Sequence, residues 1–231
     1  MIPEELAKSI DYTLLTPVAT LRDVEKVCEE GKKYNFASVV VNPCYVDLSQ
    51  RLLKDSPVKV GTVVGFPFGA TTPEVKRFEA ENAIERGARE IDMVLNVGIL
   101  KSGDLEEVYH EIQGVVDLTR RKEVQVSGSI IVKVIIETGY LENFEKKAAC
   151  RLVEEAGADF VKTGTGFGPA GANLEDVKFL RECLTPEVGI KASGGIKTLD
   201  QAVDLIQNGA SRIGTSSGVE IMEEFFAKSR K

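Results

Sequence analysis

The sequence predicts an α/β fold of the (β/α)8 TIM-barrel class, with residues 1–231 forming a single domain. Three observations support that class. Strand and helix patterns alternate eight times along the chain, its length lies near the ~250 residues typical of such barrels, and no long linker or low-complexity segment interrupts the alternation. An open parallel sheet with fewer strands is the alternative that the pattern leaves open.

Eight short runs rich in β-branched residues have the composition of buried strands, and most of them lead into glycine, proline or hydroxyl residues. They span Ile10 to Leu15, Ser38 to Pro43, Lys59 to Pro67, Glu90 to Gly98, Ile130 to Thr138, Phe160 to Phe167, Gly189 to Ile196 and Arg212 to Ser217. In a barrel, the carboxyl ends of the strands surround one mouth, where barrel enzymes carry their active sites. We therefore expect the polar residues at those ends to lie together.

Amphipathic patterns between the strands predict eight helices. They span Leu21 to Tyr34, Val46 to Lys54, Pro73 to Arg86, Leu105 to Arg121, Phe144 to Ala156, Leu174 to Leu184, Leu199 to Asn208 and Val219 to Lys228. Three joints back to a strand begin with glycine and alanine, at Gly87, Gly157 and Gly209, because glycine readily adopts the left-handed conformation that ends a helix. The least regular connection, Lys122 to Ser129, is expected to form an exposed loop.

Composition and charge argue against several functional classes. A net charge of -7 provides no basic surface for nucleic acid, and no apolar run approaches the ~20 residues that cross a bilayer. The segment Met1 to Leu6 lacks the basic and apolar regions of a signal peptide, so we expect a cytoplasmic protein without a membrane partner. The cysteines form no CxxC pair and the single histidine, His110, falls in a helical pattern, which argues against a metal site or a disulfide framework.

Three charged residues occupy interior positions of apolar strand runs: Lys162 in the sixth, Lys191 in the seventh and Asp92 in the fourth. Burying an unpaired charge costs several kcal/mol or is avoided by a shifted pKa. Alternation along each strand directs all three side chains to the barrel interior. The arrangement favours a reactive amine that a second cation keeps partly neutral, with a carboxylate to move protons.

That chemistry predicts an aldolase that works through a Schiff base. A lysine has an ordinary pKa of ~10.4, whereas catalytic amines are tuned to ~7 to 8, and burial beside another ammonium lowers the pKa in that direction. We expect Lys162 to be the amine, Lys191 the cation that tunes it and Asp92 the proton carrier. Lys133 and Glu137 share one face of the fifth strand, where either a catalytic role or a structural pair at the barrel mouth fits the pattern.

Two glycine-rich loops indicate that the substrate carries a phosphate. The seventh strand runs into Ser193-Gly-Gly-Ile-Lys197 and the eighth into Gly214-Thr-Ser-Ser-Gly218. Glycines let backbone N–H groups approach an anion, serines donate further hydrogen bonds, and the following helix starts add favourable dipole ends. This is the usual place of a phosphate in a barrel of this class.

Several segments resemble the deoxyribose-phosphate aldolase family, with similarity from about residue 8 to residue 218. They include Val64-Gly-Phe-Pro-Phe-Gly-Ala-Thr-Thr72, Lys133-Val-Ile-Ile-Glu-Thr138, Phe160-Val-Lys-Thr-Gly-Thr-Gly-Phe-Gly168, Ile190-Lys-Ala-Ser-Gly-Gly-Ile-Lys-Thr198 and Ile213-Gly-Thr-Ser-Ser-Gly218. The resemblance implies reversible cleavage of 2-deoxy-D-ribose 5-phosphate to acetaldehyde and D-glyceraldehyde 3-phosphate. It implies the same three catalytic roles for Lys162, Lys191 and Asp92.

The resemblance also implies the residues around the substrate. The phosphate loops correspond to Gly166, Gly194, Gly195, Gly214, Ser216 and Ser217, and the supporting positions to Asp11, Thr13, Lys133 and Thr165. Lys197 stands where many relatives have arginine, which keeps the charge but loses a bidentate grip on phosphate.

Nothing in the sequence suggests a cofactor, and by the same resemblance we expect a homo-oligomer, either a dimer or a tetramer. Two other functions stay open at this point: a transaldolase-like sugar-phosphate lyase, and a non-catalytic barrel that binds a phosphosugar.

Overall fold

The computed structural model describes residues 1–126 and 128–229. Within that part of the chain, eight parallel strands close into a barrel in sequence order, and the last strand pairs with the first. The strands are β1 (Ile10–Leu14), β2 (Ser38–Val41), β3 (Lys59–Val64), β4 (Glu90–Val94), β5 (Ile131–Ile135), β6 (Phe160–Lys162), β7 (Gly189–Ser193) and β8 (Arg212–Thr215). The predicted (β/α)8 class is therefore confirmed, and the open sheet is wrong.

Helices connect successive strands and form a ring around the barrel. They are α1 (Pro3–Ser9), α2 (Leu21–Tyr34), α3 (Val46–Leu53), α4 (Pro73–Glu85), α5 (Val97–Lys101), α6 (Leu105–Val126), α7 (Asn143–Glu155), α8 (Leu174–Cys183), α9 (Leu199–Gln207) and α10 (Gly218–Ser229). Over residues 1–126 and 128–229, none of these helices combines the length and the apolar character that a bilayer crossing requires. The four cysteines are free thiols.

Alternation along the strands separates two apolar regions. In β2, Val39 and Val41 pack into the large core between the barrel and the helices, whereas Val40 packs inside the barrel with Leu15 and Val63. Successive side chains of a strand point to opposite faces, so β2 and β3 contribute apolar side chains to both regions. The interior of the barrel is thereby left for the polar side chains of the other strands.

Helix α6 is longer than predicted, because residues 122–126 continue the helix instead of forming the expected loop. Residue 127 lies outside the described residues, and Gly128 and Ser129 are irregular. Lys122 binds Glu81 at 2.8 Å and Glu85 at 2.7 Å on α4, and Arg120 binds Glu123 at 3.3 Å one turn on. These ion pairs stabilise a helix end whose apolar pattern is weak.

All eight strands end earlier than predicted, and short helical elements replace the last residues predicted for β2, β4 and β5. The chain leaves β4 at Val94, and the Asn96 side chain caps α5 by accepting a hydrogen bond from the Ile99 backbone N–H at 3.2 Å. After β5, Glu137 adopts a left-handed conformation with φ 53° and leads into a single 3-10 turn. Helix α1 was not predicted. It starts at a proline, and Glu5 accepts a hydrogen bond from the Ile2 backbone N–H at 3.0 Å.

Candidate active site

Strand register brings the predicted catalytic residues together inside the barrel. Lys162 pairs directly with Lys191 across β6 and β7, and Asp92 pairs directly with Lys133 across β4 and β5. Directly paired positions in neighbouring strands direct their side chains to the same face. All four side chains are buried, with at most 3% of any of them exposed.

Asp92 is the centre of the cluster and contacts all three lysines. Its Oδ2 accepts hydrogen bonds from Lys162 Nζ at 2.8 Å and from Lys191 Nζ at 2.7 Å. Its Oδ1 accepts a hydrogen bond from Lys133 Nζ at 3.0 Å. The amines of Lys162 and Lys191 therefore share one carboxylate oxygen and cannot lie farther apart than the sum of their two distances to it.

A second layer of charges supports the cluster from below. Asp11 Oδ2 lies 2.7 Å from Lys191 Nζ and 3.4 Å from Lys133 Nζ, and Asp11 Oδ1 accepts hydrogen bonds from Ser38 at 2.8 Å and from Arg212. Glu90 bridges the same groups, since it accepts from Lys133 at 2.5 Å and from Arg212 at 3.2 Å. Each buried charge thus has a partner of opposite sign, which offsets its desolvation.

The network holds one more cation than anion when all of its groups are ionised. Its cations are Lys133, Lys162, Lys191 and Arg212, and its carboxylates are Asp11, Glu90 and Asp92. A buried excess charge is unfavourable, so loss of one proton from a lysine would balance the network. Lys162 is the lysine best placed for that loss, because Lys133 and Lys191 each contact two or more carboxylates and Lys162 contacts one.

Burial is the main cause that lowers the pKa of Lys162 to about 8; the Lys191 ammonium adds to this effect, while the Asp92 carboxylate opposes it. Desolvation therefore contributes more to this lowering of the pKa than the neighbouring cation, which we expected from the sequence to be the main cause. At neutral pH an appreciable fraction of this amine is therefore uncharged and nucleophilic.

The neighbouring groups stay firmly charged. Burial would raise the pKa of Asp92, but the ammonium groups of Lys133, Lys162 and Lys191 more than offset that effect and hold its pKa well below the usual range. Burial likewise opposes the charged form of Lys133, and the carboxylates around it raise its pKa above the usual value. The cluster thus contains a fixed anion beside an amine that titrates near neutrality.

An open cavity of about 460 Å³ lies at the carboxyl ends of the strands, and Lys162 is one of the residues that line it. Lys133, Lys191, Asp11 and Asp92 are not among the residues that line it. Of the other predicted site residues, the cavity wall includes Thr13, Thr165, Gly166, Gly194, Gly195, Gly214 and Ser216, together with Lys197. Ser217 is not part of this wall, and its backbone N–H donates to Thr215 Oγ1 at 2.9 Å.

The glycines of the cavity wall have different structural roles. Gly166, Gly194 and Gly195 have φ values of 84°, 107° and 73°, in the region that other residues rarely adopt. Gly214 instead makes room for a side chain, because a Cβ atom there would lie 2.9 Å from Lys191 Cε. The absence of a side chain at position 214 therefore lets Lys191 reach Asp92.

Some residues of the site were not predicted from the sequence, and one predicted contact between two side chains does not form. Arg212 and Glu90 belong to the charge network, although Arg212 is the first residue of its strand and gave no signal of an interior position. The suggested structural pair of Lys133 and Glu137 is wrong. Lys133 contacts carboxylates on β1 and β4, and the left-handed backbone at Glu137 turns that side chain toward Thr165.

Comparison with known proteins agrees with this geometry. The model of the DeoC/LacD family aldolase matches residues 6–224. The chain belongs to this family. It is 56% identical over 220 residues to the deoxyribose-phosphate aldolase of a Thermoanaerobacter species, covering 95% of this chain and 96% of that one. It is 55% identical over 219 residues to the deoxyribose-phosphate aldolase of Streptococcus gordonii, again covering 95% and 96%.

A solved structure of the same kind supports the DeoC/LacD assignment. It is described as a unique tetrameric structure of deoxyribose phosphate aldolase from Aeropyrum pernix. It aligns with a TM-score of 0.88 and 37% identity, over 98% of this chain and 93% of that one.

Within residues 1–126 and 128–229, no group of three or more histidine, cysteine, aspartate or glutamate side chains is arranged to hold a metal ion.

Proposed function

We propose that this aldolase cleaves 2-deoxy-D-ribose 5-phosphate reversibly to acetaldehyde and D-glyceraldehyde 3-phosphate, through a Schiff base on Lys162. The observation that carries the proposal is the position of Lys162 Nζ. It belongs to the one lysine of the Asp92 cluster that lines the cavity, and its pKa is lowered to about 8. The names of the relatives support the choice of substrate.

In the first step the neutral amine attacks the aldehyde carbon of the open-chain sugar. Loss of water from the carbinolamine then gives a protonated iminium. The Asp92 carboxylate, 2.8 Å from this nitrogen, stabilises the new positive charge. A proton must reach the departing hydroxyl, and we infer that it moves through Asp92 or a water bound to it.

Cleavage follows when the C3 hydroxyl loses its proton and the C2–C3 bond breaks. The bonding electrons move into the iminium and form an enamine, while glyceraldehyde 3-phosphate leaves. Protonation of the enamine at C2 and hydrolysis then release acetaldehyde and regenerate Lys162. Asp92 suits the role of acceptor because it is ionised and lies 2.8 Å from Lys162 Nζ, which places a carboxylate at the reacting centre.

The phosphate of the sugar would bind at the glycine-rich part of the cavity wall. Gly194, Gly195 and Ser216 line the cavity, and Lys197, which also lines it, supplies a positive charge. Backbone N–H groups of glycine loops and a lysine suit a phosphate dianion. The roles of these residues, and of Thr13 and Gly166 beside them, are part of the proposal.

Turnover of the purified chain tests this function. Wild type should release acetaldehyde and glyceraldehyde 3-phosphate in equal amounts, and Lys162→Met should release neither. Lys146→Met is a matched control, because it removes a partly buried lysine paired with Asp176 outside the cluster. Transfer of a three-carbon ketone unit would indicate the transaldolase-like alternative, and phosphosugar binding without turnover would indicate a non-catalytic barrel.

We also infer that the chain forms a homo-oligomer, either a dimer or a tetramer. The Aeropyrum pernix relative is described as tetrameric. Light scattering on the eluting protein would test the stoichiometry, and a monomer at micromolar concentration would contradict it. A cytoplasmic location belongs to the same proposal and can be checked by cell fractionation.

A further inference from the structure

Glu137 is a buried carboxylate that the proposed mechanism does not use. It lies two residues after the end of β5, is 3% exposed, and has a φ of 53°. This left-handed backbone conformation is strained for a residue other than glycine, so surrounding contacts must hold Glu137 in it. Those contacts lead to the catalytic cavity.

Both carboxylate oxygens of Glu137 face the loop after β6. Oε2 accepts hydrogen bonds from the Thr165 backbone N–H at 3.0 Å and from the Thr165 hydroxyl at 2.5 Å. Oε1 lies in a notch between Gly164 and Gly168, where a Cβ atom on either glycine would approach it to 2.7 Å or 2.5 Å. The loop therefore keeps room for this carboxylate.

These contacts determine the direction of the Thr165 hydroxyl. A hydroxyl has one proton and two acceptor positions. A carboxylate oxygen has no proton to donate, so the Thr165 proton is directed at Glu137. The Phe167 backbone N–H donates to Thr165 Oγ1 at 3.0 Å and occupies one acceptor position. One acceptor position remains, on a residue that lines the cavity beside Lys162.

We propose that Glu137 is a specificity-determining positioning residue, which fixes the Thr165 hydroxyl as a hydrogen-bond acceptor toward the substrate. This inference rests on the proposed aldol reaction. The site then favours an acceptor aldehyde that carries a free hydroxyl over one that lacks it, because the hydroxyl donates to Thr165. A deoxy analogue leaves the acceptor position of Thr165, a residue only 8% exposed, without this donor, which disfavours its binding.

The test compares two acceptors with acetaldehyde as the common donor. They are D-glyceraldehyde 3-phosphate and 3-phosphooxypropanal, which differ by one hydroxyl. Wild type should prefer the hydroxylated aldehyde in kcat/KM by at least about tenfold. Glu137→Met removes the acceptor and frees the Thr165 proton, so the preference should fall to about threefold or less. Glu137→Gln is the matched control, since its amide oxygen can accept both hydrogen bonds and should preserve the preference.

A second pair of variants keeps the test independent of Glu137 and of its effect on folding. Thr165→Val should lose the preference, and Thr165→Ser should keep it. Solvent deuterium exchange into acetaldehyde reports the Lys162 chemistry without any acceptor, and it should persist in Glu137→Met. If that variant has lost exchange, the two Thr165 variants still test whether the hydroxyl at position 165 carries the preference.

A wild-type preference near one would overturn the inference, as would a preference that survives in an exchange-competent Glu137→Met or in Thr165→Val. The proposed function fails in a different way, namely if wild type forms no product with either aldehyde.

Discussion

Replacement of Lys191 by methionine tests how the charge cluster tunes the reactive amine. The amines of Lys162 and Lys191 both contact Asp92 Oδ2, at 2.8 and 2.7 Å. Two like charges about 5 Å apart at an effective dielectric constant of about 20 repel each other by roughly 3 kcal/mol, which corresponds to about two pKa units. Lys191→Met should therefore raise the pKa of Lys162 from about 8 toward about 10.

The expected consequence is a shift in pH dependence. The neutral fraction of Lys162 at neutral pH should fall roughly 100-fold, and the rate of iminium formation with acetaldehyde should fall with it. The assay measures that rate from about pH 6 to about pH 11, a range that covers both expected pKa values. Wild type should reach its plateau above a midpoint near 8, and the variant above a midpoint near 10.

Recovery of the variant at high pH separates a tuning role from general damage to the site. Lys146→Met should keep the wild-type midpoint, because its ion pair with Asp176 lies outside the cluster. An unchanged midpoint in Lys191→Met would refute the reasoning, as would a rate that stays low at every pH.

Two further predictions follow from the same network, and a third follows from the cavity wall. Burial holds the folded-state pKa of Lys162 near 8, below the ~10.4 of an unfolded chain, so this lysine opposes folding below pH 8 and the penalty fades as the pH rises toward ~10.4. The free energy of unfolding of Lys162→Met should therefore exceed that of wild type by up to about 3 kcal/mol at pH 7, and this difference should shrink above pH 8. Urea unfolding of both proteins measures the difference, and a difference that is the same at pH 7 and above pH 8 would contradict this prediction. Asp92→Asn leaves three lysines without their central anion, so it should lose about 3 kcal/mol of stability in urea unfolding and at least about 100-fold in cleavage rate, and retention of either would count against its role. Lys197→Met should raise KM for the phosphorylated sugar about tenfold but leave unphosphorylated deoxyribose unaffected, and equal effects on both sugars would exclude a phosphate contact.

The interior charges were predictable because successive side chains of a strand point alternately to its two faces. In a closed parallel barrel both faces of a strand are covered, so a lysine in an apolar run must point into the interior or among the packed helices. That reasoning placed Lys162, Lys191 and Asp92 on the interior side, and the register then brings them into contact. Alternation of strands and helices was sufficient for the fold class.

Other features depend on three-dimensional contacts that leave little trace in the sequence. Arg212 begins its strand, where the pattern does not distinguish an interior side chain from a solvated one. The direction of Glu137 depends on a left-handed backbone that its neighbours impose. The end of α6 depends on ion pairs of Lys122 with another helix, which a one-dimensional pattern cannot show. Local propensity therefore set the approximate elements, and tertiary contacts determined their ends.

Borohydride trapping tests the central claim most directly. The chain is incubated with acetaldehyde, reduced, digested and mapped by mass spectrometry. A two-carbon adduct on the peptide that contains Lys162, absent from Lys162→Met, is the predicted result. An adduct on another lysine, or no adduct in an enzyme that still cleaves the sugar phosphate, would contradict the account.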